Sequence, residues 1–199
     1  MYVQMFDDIK VQFQIVWQGV AVVAGTFGLF ALVQKDAIPL DVAVSIVVLI
    51  ASWLIAHVAE ASYWYNRNLV IIANIERQFL RREDLHDIHC YFGAHRKVGR
   101  MIYSLWIQFL FGCGIAFVVL YYHFTTRVYP GINEPWDHFE PIRSLPYVVT
   151  AIAAISLWRH RRYKNKGYLN FLRNSPGKSV DTQGIEYGIG HPAHRSETP

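Results

Sequence analysis

The chain contains few cysteines and none of the common catalytic signatures. Its two cysteines, Cys90 and Cys113, lie too far apart along one predicted helix to bridge each other, which argues against a disulfide framework. No glycine-rich phosphate loop, serine–histidine–aspartate set or cysteine pair with metal-binding spacing is present. The sequence therefore excludes the enzyme classes that such motifs define, and its information lies in the distribution of charge.

Charged side chains are missing from four long apolar blocks. Residues 15–34 run without a charge for a length that, as a helix, covers about 30 Å, the thickness of a hydrocarbon core. Similar blocks follow at 42–59, 102–124 and 144–158. Together they leave no polar face for a soluble fold, so we predict an all-α integral membrane protein with four transmembrane helices. The first block is too long for a signal peptide, and no basic segment precedes it.

Lysine and arginine are scarce in two of the connections between these blocks. Of the 19 basic residues, only Lys35, Arg127 and Arg143 lie between the first two blocks or between the last two. Basic residues concentrate on the cytoplasmic side of membrane proteins. We therefore predict a multi-pass protein of the cell inner (plasma) membrane, with both termini and the 59–101 segment in the cytoplasm.

Glycine and proline are absent from Leu40 to Phe92, which favours one long helix over 41–82. A returning helix from His86 to Tyr122 would complete a cytoplasmic helical hairpin between the second and third spans. After the fourth span, a short surface helix is predicted at 163–174. The chain then divides into an N-terminal interfacial segment with two spans (1–58), the hairpin (59–101), two further spans with an outer loop (102–158), and a basic segment with a flexible tail (159–199).

Polar side chains within the spans need partners, because hydrocarbon offers them no hydrogen bonds. Gln18 and Gln108 are predicted to bond across a helix pair or to face a wet cavity. His57 and Glu60, at the cytoplasmic mouth of the second span, would form a proton-linked gate or simply reach water.

Small residues in the spans allow close helix packing, either within the chain or between subunits. The positions predicted for this role are Ala21, Gly25, Gly28, Gly112 and Gly114.

A basic run follows the fourth block and is typical of a membrane surface facing anionic headgroups, with a polyanionic ligand as the alternative. Its members are Arg159, Arg161, Arg162, Lys164 and Lys166.

The densest cluster of reactive side chains lies at 81–90. His86, His89 and Cys90 share one face of a helix and are candidate metal ligands, although a solvated titratable face is the alternative. Arg81 with His86, and Arg82 with His89, match Arg-x4-His and Arg-x6-His spacings that resemble HEPN ribonucleases. That resemblance implies arginine and histidine side chains, shared across a dimer, at the scissile phosphate.

The overall plan resembles the small four-transmembrane effectors of prokaryotic antiphage and CRISPR-associated systems. The resemblance implies a homo-oligomer that forms a pore or perturbs the bilayer once its cytoplasmic hairpin meets a protein, nucleotide or RNA activator. Two alternatives stay open: a non-enzymatic anchor that recruits a cytoplasmic partner, and a membrane-bound HEPN-like ribonuclease or metal-dependent enzyme. We expect no cofactor and no binding to DNA.

Overall fold

The computed structural model describes residues 7, 15–79, 101–132 and 140–174 of the 199. In this part of the chain all regular structure is helical, which confirms the all-α prediction there. The four α-helices are α1 (Ile15–Gln34), α2 (Leu40–Phe79), α3 (Tyr103–His123) and α4 (Leu145–Asn174). A π-helical turn, Phe124–Val128, and two 3-10 turns, Tyr129–Gly131 and Pro141–Ser144, lie between α3 and α4.

All four helices are long and apolar enough to cross a membrane. They differ in how much of the candidate span the rest of the chain covers: 44% for α2, against 11%, 17% and 6% for α1, α3 and α4. The outward side chains of these three helices include large apolar groups such as Trp17, Phe27 and Phe117. The second helix is therefore the most buried of the four.

The connection between α1 and α2 is short because α1 ends in a Schellman-type cap. Asp36 takes a left-handed conformation with φ 55°, and the amides of Asp36 and Ala37 donate to the carbonyls of Val33 and Leu32. These bonds satisfy carbonyls that the helix end would leave free. Pro39 then directly precedes Leu40, the first residue of α2.

The chain forms two compact units, which are described separately. The first, here called the span unit, comprises Gln14–Glu60 and Ile102–Arg162. The described part of the second, here called the extension unit, consists mainly of 61–79 of α2 and 163–174 of α4.

The core of the span unit joins opposite ends of neighbouring helices. Val44 and Val48 of α2 pack with Val119 of α3, and Phe30 of α1 and Val149 of α4 lie against this cluster. The end of α1, the start of α2, the end of α3 and the start of α4 therefore meet at one end of the unit. This alternation of helix direction is what consecutive membrane spans with short connections require.

Only one predicted packing glycine lies at a helix contact among the described residues. A Cβ atom added to Gly112 of α3 would lie 2.9 Å from Cγ1 of Ile55 in α2, so the glycine allows these helices to approach closely. No atom lies within 4 Å of the corresponding position at Gly25, Gly28 or Gly114 in the structure described. Ala21 is exposed as well, so the stripe on α1 does not pack within the described chain.

Two predicted helix boundaries differ from the structure. Residues 163–174 are helical, as predicted, but they do not begin a new helix, because α4 continues unbroken to Asn174. No proline interrupts them, and Gly167 alone costs only about 1 kcal/mol. The returning helix does not run unbroken from His86 to Tyr122 either: Met101 and Ile102 are not helical, and Ile102 is extended (ψ 153°) before α3.

The long second helix is confirmed over the described part of the predicted 41–82 range. It is continuous from Leu40 to Phe79, whereas 80–100, including the rest of the predicted hairpin, lie outside the described residues. Forty residues of α-helix extend about 60 Å, roughly twice the thickness of a hydrocarbon core.

Candidate functional site: a buried charged network

A carboxylate is buried at the start of α2. Asp41 lies in the first turn of the helix and is only 1% exposed. An acidic side chain at a helix N-terminus is favoured by the helix dipole, but an ionised carboxylate removed from water also needs hydrogen-bond donors. In this structure both of its oxygens have them.

The two donors come from the end of α3 and from the π-helical turn that follows it. His123 Nε2 lies 2.8 Å from Asp41 Oδ1, and Arg127 Nη2 lies 3.2 Å from Asp41 Oδ2. The imidazole is completely buried, whereas Arg127 is 36% exposed. The Asp41 carboxylate therefore connects the imidazole of His123 with the permanently charged guanidinium of Arg127.

Tyr147 of α4 completes the inner part of the network. Its hydroxyl oxygen lies 3.1 Å from His123 Nδ1, and the two rings meet edge to face. A neutral imidazole with its proton on Nε2 satisfies every group: Nε2–H donates to Asp41, and Nδ1 accepts from the Tyr147 hydroxyl. We assign this tautomer on that basis. The His123 side chain of α3 then links α2, through Asp41, with α4, through Tyr147.

An outer layer of the network is exposed to solvent. Glu140 Oε2 accepts from Arg127 Nη2 at 3.2 Å and from Arg143 Nε at 3.0 Å. The Arg143 guanidinium also donates to the Arg127 carbonyl oxygen, and Gly131 leaves room for it, since a Cβ there would lie 2.9 Å from Nη1. In the whole network, the carboxylates of Asp41 and Glu140 thus balance the charges of the Arg127 and Arg143 guanidiniums.

The hydrogen bond and positive charge of Arg143 lower the pKa of Glu140 from its ordinary value of 4.5. A carboxyl whose folded pKa is depressed contributes stability above its unfolded pKa, and this contribution is lost as the pH falls through the lowered value. The outer layer therefore weakens only in acid. Because Glu140 is exposed, we expect its share of the stability to be small.

Chemically, the network can hold three helix ends together through hydrogen bonds and ion pairs. Ionisable residues are costly in helices that are long and apolar enough to cross a membrane, and they usually serve a function there, so this network is the candidate functional site. Comparisons with protein-family models, curated proteins and solved structures find no match. Functional inference for this chain therefore rests on its sequence and geometry.

The sequence pattern does not predict this network. Asp41 reads as a helix start and His123 as the end of an apolar block, and nothing local connects positions 82 residues apart. One signal is present in retrospect. Asp41, His123 and Arg127 are ionisable residues at the same predicted end of two neighbouring spans, where each needs a partner.

The predicted polar residues of the spans lie elsewhere in the span unit. The side-chain oxygens of Gln18 and Gln108 are buried and have no hydrogen-bond partner in the part of the chain that is described. His57 stacks on Trp53 with ring centroids 5.3 Å apart. Glu60 reaches across to α4, where its Oε2 lies 3.3 Å from His160 Nε2, so the predicted gate residue contacts a histidine that the sequence does not single out.

The basic run lies on α4, and its arginines and Lys166 are exposed. Two of its members contact aromatic rings: Arg162 lies 4.3 Å from the ring centre of Trp158, and Lys164 lies 4.9 Å from that of Tyr63. Such cation–π contacts, with aromatic and basic side chains together, are typical of a membrane–water interface.

The candidate catalytic and metal-binding residues lie outside the described residues. Among the described residues, no three His, Cys, Asp or Glu side chains are grouped as metal ligands. The metal and HEPN-like hypotheses therefore stay predictions for the positions Arg81, Arg82, His86, His89 and Cys90.

Proposed function

We propose that the chain is a four-span protein of the cell inner membrane, with both termini cytoplasmic and the Asp41 network on the opposite side. The charge distribution supports this orientation. Only three basic residues would lie outside, and two of them, Arg127 and Arg143, are paired with carboxylates in the network. The exposed basic residues of α4 would then face the cytoplasm, in agreement with the positive-inside rule.

Within this topology, we propose an oligomeric membrane effector that forms a pore or perturbs the bilayer, as in the antiphage effectors that the chain resembles. The observation that carries the proposal is the uncovered surface of α1, α3 and α4. On α1 this surface includes the open positions Gly25 and Gly28, where a second helix could approach closely. The buried amide oxygens of Gln18 and Gln108 would gain partners or water in such an assembly.

Gating through the cytoplasmic part requires a connection to the spans, and α2 contributes residues to both units. The helix is continuous from the first turn, which holds Asp41, to Phe79. A partner that binds the cytoplasmic region and prefers one arrangement of the spans would shift the population of the two arrangements. The Asp41 network would then stabilise the resting arrangement.

A second candidate function is a non-conducting anchor for a cytoplasmic partner. The extension unit favours it, because α2 and α4 are both longer than the roughly 20 residues that a span needs. The two functions differ in what the spans do, since an anchor leaves the ion permeability of the membrane unchanged.

The orientation predicts the behaviour of reporter fusions. Green fluorescent protein joined after Pro199 or inserted after Arg82 is expected to fluoresce, because it folds in the cytoplasm. Alkaline phosphatase inserted after Asp36 is expected to be active, because it requires the oxidising outer compartment. Phosphatase activity at Arg82, with none at Asp36, would contradict the proposed topology.

The effector function predicts a voltage change that depends on the open face of α1. Expression of the protein with its activator, supplied as the neighbouring genes or a phage challenge, is expected to collapse the membrane potential, followed with a voltage-sensitive dye. The double substitution Gly25→Leu with Gly28→Leu is expected to abolish this collapse and to reduce the oligomer at least tenfold in native mass spectrometry.

The matched control is Gly114→Leu, which adds the same side chain to an equally open position that lies on α3, outside the small-residue stripe of α1. It is expected to leave both readouts unchanged. A wild-type protein that binds a cytoplasmic partner while the potential stays constant would favour the anchor. An oligomer that tolerates both α1 substitutions would exclude this face as the subunit contact.

A further inference from the structure

We infer that Arg67, in the extension unit, binds the phosphate of an anionic phospholipid headgroup. Its guanidinium lies over two aromatic rings, with its central carbon 4.8 Å from the ring centre of Trp64 on α2 and 5.2 Å from that of Phe171 on α4. Both contacts use the π-face of a ring and none of the hydrogen-bonding capacity of the guanidinium. Its N–H groups therefore still need acceptors.

The described residues offer Arg67 no acidic partner. Its Nε is buried without a hydrogen-bond acceptor, and no ion pair to a carboxylate forms within the described chain. Neither segment that builds the surroundings, 61–72 of α2 or 163–174 of α4, contains an aspartate or glutamate. Arginine stays charged at any physiological pH, so an anion or water must satisfy it.

A second cation lies one helical turn away. Tyr63 precedes Arg67 by four residues on the same face of α2, and Lys164 of α4 lies 4.9 Å from the ring centre of Tyr63. Tyr63 also packs edge to face on the buried Tyr168, with ring centroids 6.2 Å apart. The site is therefore built from two facing helix stripes, with positive charge and aromatic rings on both.

The depth of Arg67 along α2 points to a lipid as the source of the anion. Arg67 lies about 27 residues after Leu40, or about 40 Å along the helix. A bilayer with its headgroup layers is about 40–45 Å thick, so a helix that starts at one surface places this residue among the headgroups of the other. A phosphodiester accepts two parallel N–H bonds from a guanidinium, which a lysine cannot supply.

The inference rests on the membrane placement proposed above, and one experiment separates the two. The detergent-purified full chain is titrated with phosphatidylglycerol or phosphatidylcholine, and bound lipid is counted by native mass spectrometry. Wild-type protein is expected to retain phosphatidylglycerol preferentially. Arg67→Gln is expected to weaken that retention five- to tenfold, and Arg67→Lys by a smaller factor, with phosphatidylcholine adducts unchanged.

The matched control is Arg173→Gln, which removes an exposed arginine from the same stretch of α4. It is expected to retain phosphatidylglycerol like the wild type. Equal retention by wild type, Arg67→Gln and Arg67→Lys would overturn the inference even if the protein requires detergent for extraction, which tests membrane insertion separately. Should Arg67→Gln fail to fold, the comparison of Arg67→Lys with wild type decides.

A further arm distinguishes the source of the phosphate. Inorganic phosphate and glycerol 3-phosphate, added at millimolar concentration, are expected to leave the bound phosphatidylglycerol in place, because they lack the acyl chains that hold a lipid at this depth. Displacement of the lipid by either anion, with the anion bound in its stead, would show a soluble phosphate site and overturn the lipid assignment.

Discussion

Replacement of His123 by leucine is expected to lower the free energy of unfolding by about 3 kcal/mol or more, because it removes a hydrogen-bond donor from a buried, charged acceptor. Leucine fills much of the same space, so the loss comes mainly from hydrogen bonds rather than from a cavity. Asp41 Oδ1 loses its 2.8 Å donor while the carboxylate stays buried, and the Tyr147 hydroxyl loses its acceptor. The midpoint of denaturant-induced unfolding in micelles measures the change.

Asp41→Asn is expected to cost less, about 1–3 kcal/mol. Asparagine can still accept a hydrogen bond from His123 Nε2. The group that loses its charged partner is the Arg127 guanidinium. That guanidinium is 36% exposed and keeps Glu140 as a second partner, so it is far less isolated than a buried carboxylate would be. His123→Leu is therefore expected to be the more costly substitution, because it weakens the hydrogen bonding of a buried carboxylate, whereas Asp41→Asn affects a partly exposed guanidinium.

The double variant, His123→Leu with Asp41→Asn, separates a network from two independent sites. The first substitution removes the donor of Asp41 Oδ1, and the second removes the negative charge that needs this donor, so the total cost of the double variant is expected to be below the sum of the single effects. Glu140→Gln in the exposed outer layer is the control and is expected to change the midpoint little. Additive losses, or an effect of Glu140→Gln as large as that of His123→Leu, would contradict the buried network.

The helices could be predicted from the sequence because their signal is local. The uncharged block 15–34 coincides with α1, and the lack of glycine and proline after Leu40 predicts the continuity of α2. The predicted boundaries fail where local signals conflict. The change from apolar to basic residues at Arg159 suggests a break, yet basic side chains continue a helix as readily as apolar ones.

The candidate site could not be predicted for a different reason. Tyr147 and Asp41 meet His123 only after three helices have packed, and the residues are 24 and 82 positions away from it along the chain. The sequence has its highest density of reactive side chains at 81–90 instead, and these residues lie outside the described structure. The sequence indicates that Asp41, a charged residue at the end of a predicted span, needs a partner, but it does not identify that partner.

The contact between α2 and α3 gives the second large prediction: Gly112→Val is expected to destabilise the protein by about 1–3 kcal/mol or more. The first added carbon would already lie 2.9 Å from Ile55 Cγ1, and the Ala51 carbonyl oxygen is 3.7 Å away. Cγ1 is close to the backbone of Ile55, so the side chain cannot simply swing aside. The helices must then separate, and packing contacts between α2 and α3 are lost.

Gly114→Val is the matched control, two residues along the same helix, at a position with no atom within 4 Å. It is expected to change the free energy of unfolding by no more than about 0.5 kcal/mol. Ile55→Ala combined with Gly112→Val is expected to recover part of the loss, because it removes the atoms that the valine meets. Equal effects of the two valines, or no recovery with Ile55→Ala, would mean that α3 does not cross α2 at this point, and the alignment of Asp41 with His123 would lose its physical basis, since the same two helices carry both.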